Sequence, residues 1–133
     1  MKKYDFYIAS GWDFGKKNGG KRGKFIDEQV ARLRARGLTV FSPRELSIPC
    51  ANHLKQSAWS KLVFKHDLAA INNSRCILYF DWGANGDVGA GWEVGYAVAK
   101  NIPVFCYAQG DDISLMISNS TKVITNNIYI KET

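Results

Sequence analysis

The sequence predicts an α/β fold: a doubly wound, mostly parallel sheet of four to five strands with helices on both faces, in one domain over residues 1–133. Two observations carry that expectation. Short apolar runs alternate with stretches of helical periodicity along the chain, the pattern of a parallel sheet with crossover helices. Residues 75–80 are also almost continuously apolar, as a strand buried on both faces must be. A length of 133 residues suits a single domain, and no internal repeat is visible.

The first strand is expected over residues 3–9, where Tyr4, Phe6 and Ile8 alternate with Asp5, Tyr7 and Ala9. Ser10-Gly11-Trp12 ends it. Residues 15–24 then hold four glycines, five cations and no apolar side chain, and read as a flexible basic loop. Over residues 25–36, Ile26, Val30 and Leu33 fall at helical spacing, and Gly37 supplies a C-terminal stop. A short strand at 38–41 closes on Ser42-Pro43. A loop leads to a helix from about residue 58 to 72, broken by Asn73-Ser74 before the strand at 75–80. The glycine-rich loop 81–91 precedes a helix from about 92 to 100, and residues 102–107 form a further strand. Asp111 or Asp112 is expected to cap a short helix, and residues 123–130 are a candidate edge strand. The order is that of flavodoxin-like or Rossmann-like sheets, whose ligands bind beyond the carboxyl ends of the strands. That rule gathers residues 7–12, 43–45, 81–91 and those after Tyr107 around one crevice.

Composition narrows the function classes. Hydrophobic residues make up 46% and charged residues 23% of the chain, a globular balance that excludes wholesale disorder. The apolar runs fall far short of the roughly 20 residues of a membrane helix. Asp5 and Tyr7 interrupt any apolar core after Met1-Lys-Lys, so a cytoplasmic chain without a signal peptide is expected. Three cysteines make no even disulfide framework: Cys76 and Cys106 lie in apolar runs, Cys50 in a proline-flanked loop. There is no CxxC, and neither His53 nor His66 has a cysteine at ligand spacing, so no metal site is expected. The formal charge of +6 is local. Lys16, Lys17, Lys21, Arg22 and Lys24 supply five cations, and the remaining 13 nearly balance 12 acids. Such a segment is either a solvated surface or a device that recruits a phosphorylated substrate. Nucleic acid is not the expected partner, because the cations form no broad stripe interleaved with aromatics.

Three carboxylates carry the chemistry. Gly89-Ala-Gly91 fails the dinucleotide fingerprint, since the third glycine falls one place late at Gly95 and the segment follows the third strand. The segment delivers Asp87 before the glycines and Glu93 in the expected first turn of the next helix. A helix N-terminus favours an ionised carboxylate, and such a group facing a crevice suits attack on a sugar's anomeric carbon. The alternative is a Glu93 that only stabilises the helix end. The glycines, which let a ligand approach the backbone, weigh against it. Asp67 lies in Leu62-Val-Phe-Lys-His-Asp-Leu-Ala-Ala-Ile71, among apolar helix positions. Partly buried, it would have a raised pKa and a proton to donate; at the surface, it would pair with Lys65 or an i±4 neighbour. Tyr7, Trp12 and Phe14 are either core or an aromatic wall for a nucleobase. No Ser-His-Asp or Cys-His arrangement is recognisable.

Tyr7-Ile-Ala-Ser-Gly-Trp12, Lys65-His-Asp-Leu-Ala-Ala-Ile71 and Asp87-Val-Gly-Ala-Gly-Trp-Glu-Val-Gly-Tyr96 together resemble the nucleoside 2-deoxyribosyltransferases. The last segment is the most specific. Thr39-Val-Phe-Ser-Pro-Arg-Glu45 and Leu115-Met-Ile117 resemble further family segments, so the likeness spans nearly the whole chain. It implies exchange of the base on a 2′-deoxynucleoside through a covalent deoxyribosyl-enzyme, without metal or organic cofactor. Glu93 would attack C1′, Asp67 would hold and protonate the departing base, and Tyr7 would orient Glu93. Asp87 would accept a hydrogen bond from the sugar 5′-hydroxyl beside Gly89 and Gly91, and Trp12 and Phe14 would flank the base. The family also implies a homo-oligomer, dimer or hexamer, in which the segment Ser114-Leu-Met116 of a neighbouring subunit completes each site.

Two positions point in different directions. Ser114 resembles the related 2′-deoxynucleoside 5′-monophosphate N-glycosidases, whereas transferases typically carry Asn there. Asp87 resembles the transferases and would repel a phosphate by like charge. The tight glycine segment defines Asp87 better, so the transferase is the leading expectation and the hydrolase its alternative. A non-catalytic nucleotide- or nucleic-acid-binding module is the third.

Overall fold

A computed structural model describes residues 2–13, 16–48, 51–83, 87–109 and 112–124. Its strands are β1 (Tyr4–Ala9), β2 (Val40–Phe41), β3 (Ser74–Asp81), β4 (Val104–Ala108) and β5 (Lys122–Ile124). They form one sheet in the order β2-β1-β3-β4-β5, and every adjacent pair is parallel. The connecting helices are α1 (Gly20–Ala35), α2 (Gln56–Asn72), α3 (Val88–Ala99) and α4 (Leu115–Ser120). The α/β class and parallel sheet are as the alternating pattern predicts. The strand order reverses at β1 and β3, which opens a crevice at their carboxyl ends.

Both faces of the sheet are covered, and this explains the unbroken apolar run in β3. On one face Ile8, Leu78 and Phe80 pack against Ile26, Val30 and Leu33 of α1. On the other, Tyr7, Ala9, Ile77 and Tyr79 pack against Ile71 of α2 and Val94 of α3. Burying each large apolar side chain contributes roughly 1.5–3 kcal/mol, so the spacing of α1 fixes which way it faces. α1 ends where Gly37 is expected to stop it. Gly37 adopts φ +81, its N–H bonds the Arg34 carbonyl, and the Leu38 N–H reaches back to Leu33. α3 ends the same way, with Asn101 in the left-handed position.

Three expectations fail. The basic segment is not an open loop: residues Lys17–Gly19 form a 3-10 turn and α1 begins at Gly20, one turn before Phe25. Its cap comes from a distance, because Asp13 Oδ2 accepts from the Arg22 N–H at 3.4 Å. The glycine segment after β3 is helical from Val88 onward, not from Trp92. α4 is capped by Ser114, whose hydroxyl accepts from the Met116 N–H at 3.3 Å, and Asp112 lies outside it. Phe14, Cys50, Asp111 and the expected continuation of the last strand to Ile130 lie outside the described residues. Cys76 and Cys106 are free and buried. No described helix is long and apolar enough to cross a membrane.

Candidate active site

A cavity of about 510 Å³ opens at the carboxyl ends of β1 and β3, within the size range of small-molecule sites. β1 contributes Ser10 and Trp12, the turn after β2 contributes Pro43, and α3 contributes Gly89, Ala90, Trp92 and Glu93 with Asp87 before it. Its remaining wall is one face of α2, from Ser60 to Ile71. Among the described residues, the charged side chains lining the cavity are all acidic: Asp67, Asp87 and Glu93.

The position of Glu93 follows from how α3 begins. Asp87 has extended backbone, and its Oδ1 accepts from the Ala90 N–H at 3.0 Å, so the helix starts with Val88. Glu93 therefore sits in the second turn, where little of the dipole's first-turn effect remains. The expected dipole-favoured ionisation is not what the structure gives. Burial pushes the Glu93 carboxyl up to about 8; the Tyr7 hydroxyl pulls it down, and Asp67 and Asp87 push it further up. Gly89 and Gly91 are poor helix formers, and the Asp87 cap starts the helix ahead of them, four residues before the expected Trp92.

Tyr7 is fully buried, and its hydroxyl donates to Glu93 Oε2. Burial first, then the charges of Glu93 and Asp67, hold its phenol above the ordinary value, so it remains a donor. The ring of Phe41, opposite Tyr7 in the strand register, stacks on it at 5.6 Å and 8°. Asp67 faces the same cavity from α2. Its Oδ1 is buried and has no hydrogen-bond partner among the described residues. Burial pushes its carboxyl up to about 6, against the opposing pull of His66. This is the half-buried, protonatable arrangement and not the surface pairing with Lys65.

Gly11 shapes the far corner. A Cβ there would fall 2.6 Å from the Asp87 Cβ and 3.2 Å from Oδ2, so only glycine lets the end of β1 touch this carboxylate. Trp82 Nε1 donates to Ser10 Oγ at 2.9 Å and ties the loop after β3 to the same strand end.

Of the residues singled out from sequence, Glu93, Asp67, Tyr7, Asp87, Trp12 and Gly89 come together here. Gly91 lies in the first turns of α3 but does not line the cavity. Ser114 and Met116 are exposed on α4 and outside it. Sequence reasoning missed Ser60, Val63, Phe64, Leu68 and Ile71. They recur at three- and four-residue steps around Asp67, so the helical spacing of α2 was the available signal. Trp92 was also missed; it meets Phe64 edge-on at 5.6 Å and stacks on Tyr96. No group of three or more metal-ligating side chains occurs among the described residues.

The profile of the nucleoside 2-deoxyribosyltransferase family matches residues 6–126, which includes every element around this cavity. The chain belongs to that family. A 2-deoxyribosyltransferase from Bacillus psychrosaccharolyticus shares 31% identity and superposes with a TM-score of 0.72, over 87% of this chain and 81% of that one. Two more distant structures share the fold. A CMP N-glycosidase from Clostridium botulinum is 16% identical, with a TM-score of 0.63 over 92% of this chain and 90% of its own. A 2-desoxiribosyltransferase from Leishmania mexicana is 17% identical, with a TM-score of 0.57 over 79% and 64%. No curated protein sequence matches the chain.

Proposed function

We propose that this member of the family is a base-exchanging nucleoside 2-deoxyribosyltransferase acting through a covalent deoxyribosyl–Glu93 ester. The observation that carries the reading is the half-buried Glu93 carboxyl held by the Tyr7 hydroxyl in a cavity whose described lining charges are all acidic. Ionised Glu93 attacks C1′ of a 2′-deoxynucleoside; the C1′–O bond forms as the C1′–N bond breaks, and its electron pair leaves on the base. Asp67 supplies the proton that base needs. In the return half-reaction a nitrogen of the incoming base attacks C1′, the ester breaks, Glu93 is released as carboxylate, and Asp67 takes up the displaced proton.

The competent form therefore carries one proton between the two carboxyls, on Asp67. Burial by the protein alone sets the opposite order, pushing Glu93 up to about 8 and Asp67 up to about 6. A bound nucleoside corrects it. The base nitrogen beside Asp67 favours the acid there, and positive character at C1′ favours the Glu93 carboxylate. Asp87 takes the 5′-hydroxyl on Oδ2, since Oδ1 is engaged by Ala90. A 5′-phosphate would meet the like charges of Asp87, Glu93 and Asp67, which disfavours the monophosphate hydrolase reading. Ser114 and Met116, exposed on α4, remain available to complete the site of a second copy of the chain.

Incubation with a 2′-deoxynucleoside and a second free base tests this, with a parallel arm of the 5′-monophosphate and no acceptor. Exchange of the base is expected. Release of deoxyribose 5-phosphate in the second arm alone would move the assignment to the hydrolase. The pH profile should be bell-shaped, with limbs near about 6 and about 8: below the first both carboxyls are protonated, above the second neither is.

A further inference from the structure

We propose that Arg44 is a positioning residue for the base-binding wall, and that Gly19 and Gly23 of the basic segment leave room to seat its guanidinium. This rests on the reading above in one respect, that Trp12 flanks the base. Arg44 follows β2 and does not line the cavity, whereas Trp12, which follows β1, does. The guanidinium carbon lies 5.7 Å from the centroid of the Trp12 ring, within cation–π range. The group is fixed from behind. Its Nε and Nη2 donate to the two carboxylate oxygens of Asp27 on α1, both at 3.0 Å, and Nη2 also donates to the Asn18 carbonyl at 3.0 Å. The Arg44 side chain is only 14% exposed.

The backbone around it is cut to fit. A Cβ on Gly19 would fall 2.1 Å from Arg44 Nη1, and one on Gly23 would fall 2.7 Å from the same atom. Two of the glycines that read as loop flexibility, Gly19 and Gly23, are therefore clearance for a fixed cation and, at Gly23, for the Asn18 carbonyl that holds it. Arg44 joins three separate segments: the start of α1, the turn after β2 and the end of β1. A planar fork can bind Asp27 with two nitrogens and still present its face to an indole, which a lysine ammonium cannot do. Trp12 thus meets a ligand on one side with its orientation set from elsewhere, and less ordering remains to be done on binding.

The test compares Arg44→Met, Arg44→Lys, Gly23→Ala, Trp12→Ala and the Trp12→Ala/Arg44→Met double variant. It reads KM for a 2′-deoxynucleoside, kcat, and Kd for the free base by calorimetry. Arg44→Met should raise KM and Kd about 5- to 20-fold with kcat within about twofold. Arg44→Lys should recover little of the loss. Gly23→Ala keeps Arg44 but crowds its guanidinium, and should move KM in the same direction. The double variant should bind no worse than Trp12→Ala alone, because Arg44 acts through that ring. A Trp12→Ala enzyme that binds normally, or additive losses in the double variant, overturns the proposal. Because Kd needs no turnover, a wild-type protein that binds base without exchanging it defeats the transferase reading and leaves this one standing.

Discussion

The two faces of the sheet are built to opposite ends. On the α1 face the charged side chains are paired: Arg34 with Glu45 and Arg44 with Asp27, beside the buried Ile26, Val30 and Leu33. On the α2–α3 face, interactions are left open. Asp67 has a buried oxygen without a partner among the described residues, Glu93 is held far above its ordinary pKa, and Phe64 and Trp92 are about half exposed at the cavity rim. The difference teaches where to look for function in a parallel sheet covered on both sides: on the face where burial raises the pKa of carboxyls that no cation among the described residues pairs.

The sharpest way to test that contrast is Glu93→Gln. Exchange should fall about 10³-fold or more, because an amide neither attacks nor leaves as a carboxylate. The same change should stabilise the fold in a pH-dependent way. The folded pKa lies above the unfolded one, so wild-type stability is lost as pH rises from about 4.5 through about 8. Melting scans should give Glu93→Gln a Tm about 3–6 °C above wild type at pH 8 and nearly equal to it at pH 4.5. Ile26→Ala on the α1 face should do the opposite, costing about 2–4 kcal/mol in denaturant titrations while kcat/KM of the folded fraction stays within about twofold.

Tyr7→Phe should lower kcat about 10- to 100-fold. Without the donor the Glu93 carboxylate is less favoured, so the alkaline limb of the pH profile should move upward. A downward move would remove Tyr7 from its orienting role. The smallest effect is expected on the basic segment. Lys16, Lys17, Lys21 and Lys24 are all exposed, and changing the four to Ser should leave kcat/KM for the nucleoside within about twofold.

These cases also mark what the sequence could and could not reveal. The alternation of strands and helices was legible because periodicity reports which side is covered, as Ile26, Val30 and Leu33 illustrate. The start of α1 was not, because the side chain that accepts from its first turn is Asp13, several residues upstream, and Gly19 and Gly23 answer to Arg44 on another segment. The carboxylates at 67, 87 and 93 stood out by residue type. The ionisation of Glu93 did not, because it depends on burial by elements distant in the chain. The wall of α2 falls between these cases: its spacing was in view, but only the position of Asp67 in the fold says which face matters.

The indoles at the cavity have a practical consequence. Two of the four tryptophans, Trp12 and Trp92, line the pocket, while Trp82 is committed to Ser10 beneath it and Trp59 lies on the outer side of α2. A base that stacks against Trp12 will change the emission of a fluorophore the protein already carries. Occupancy can then be followed on the unlabelled chain, with Trp12→Phe and Trp92→Phe assigning the signal to one side of the cavity or the other.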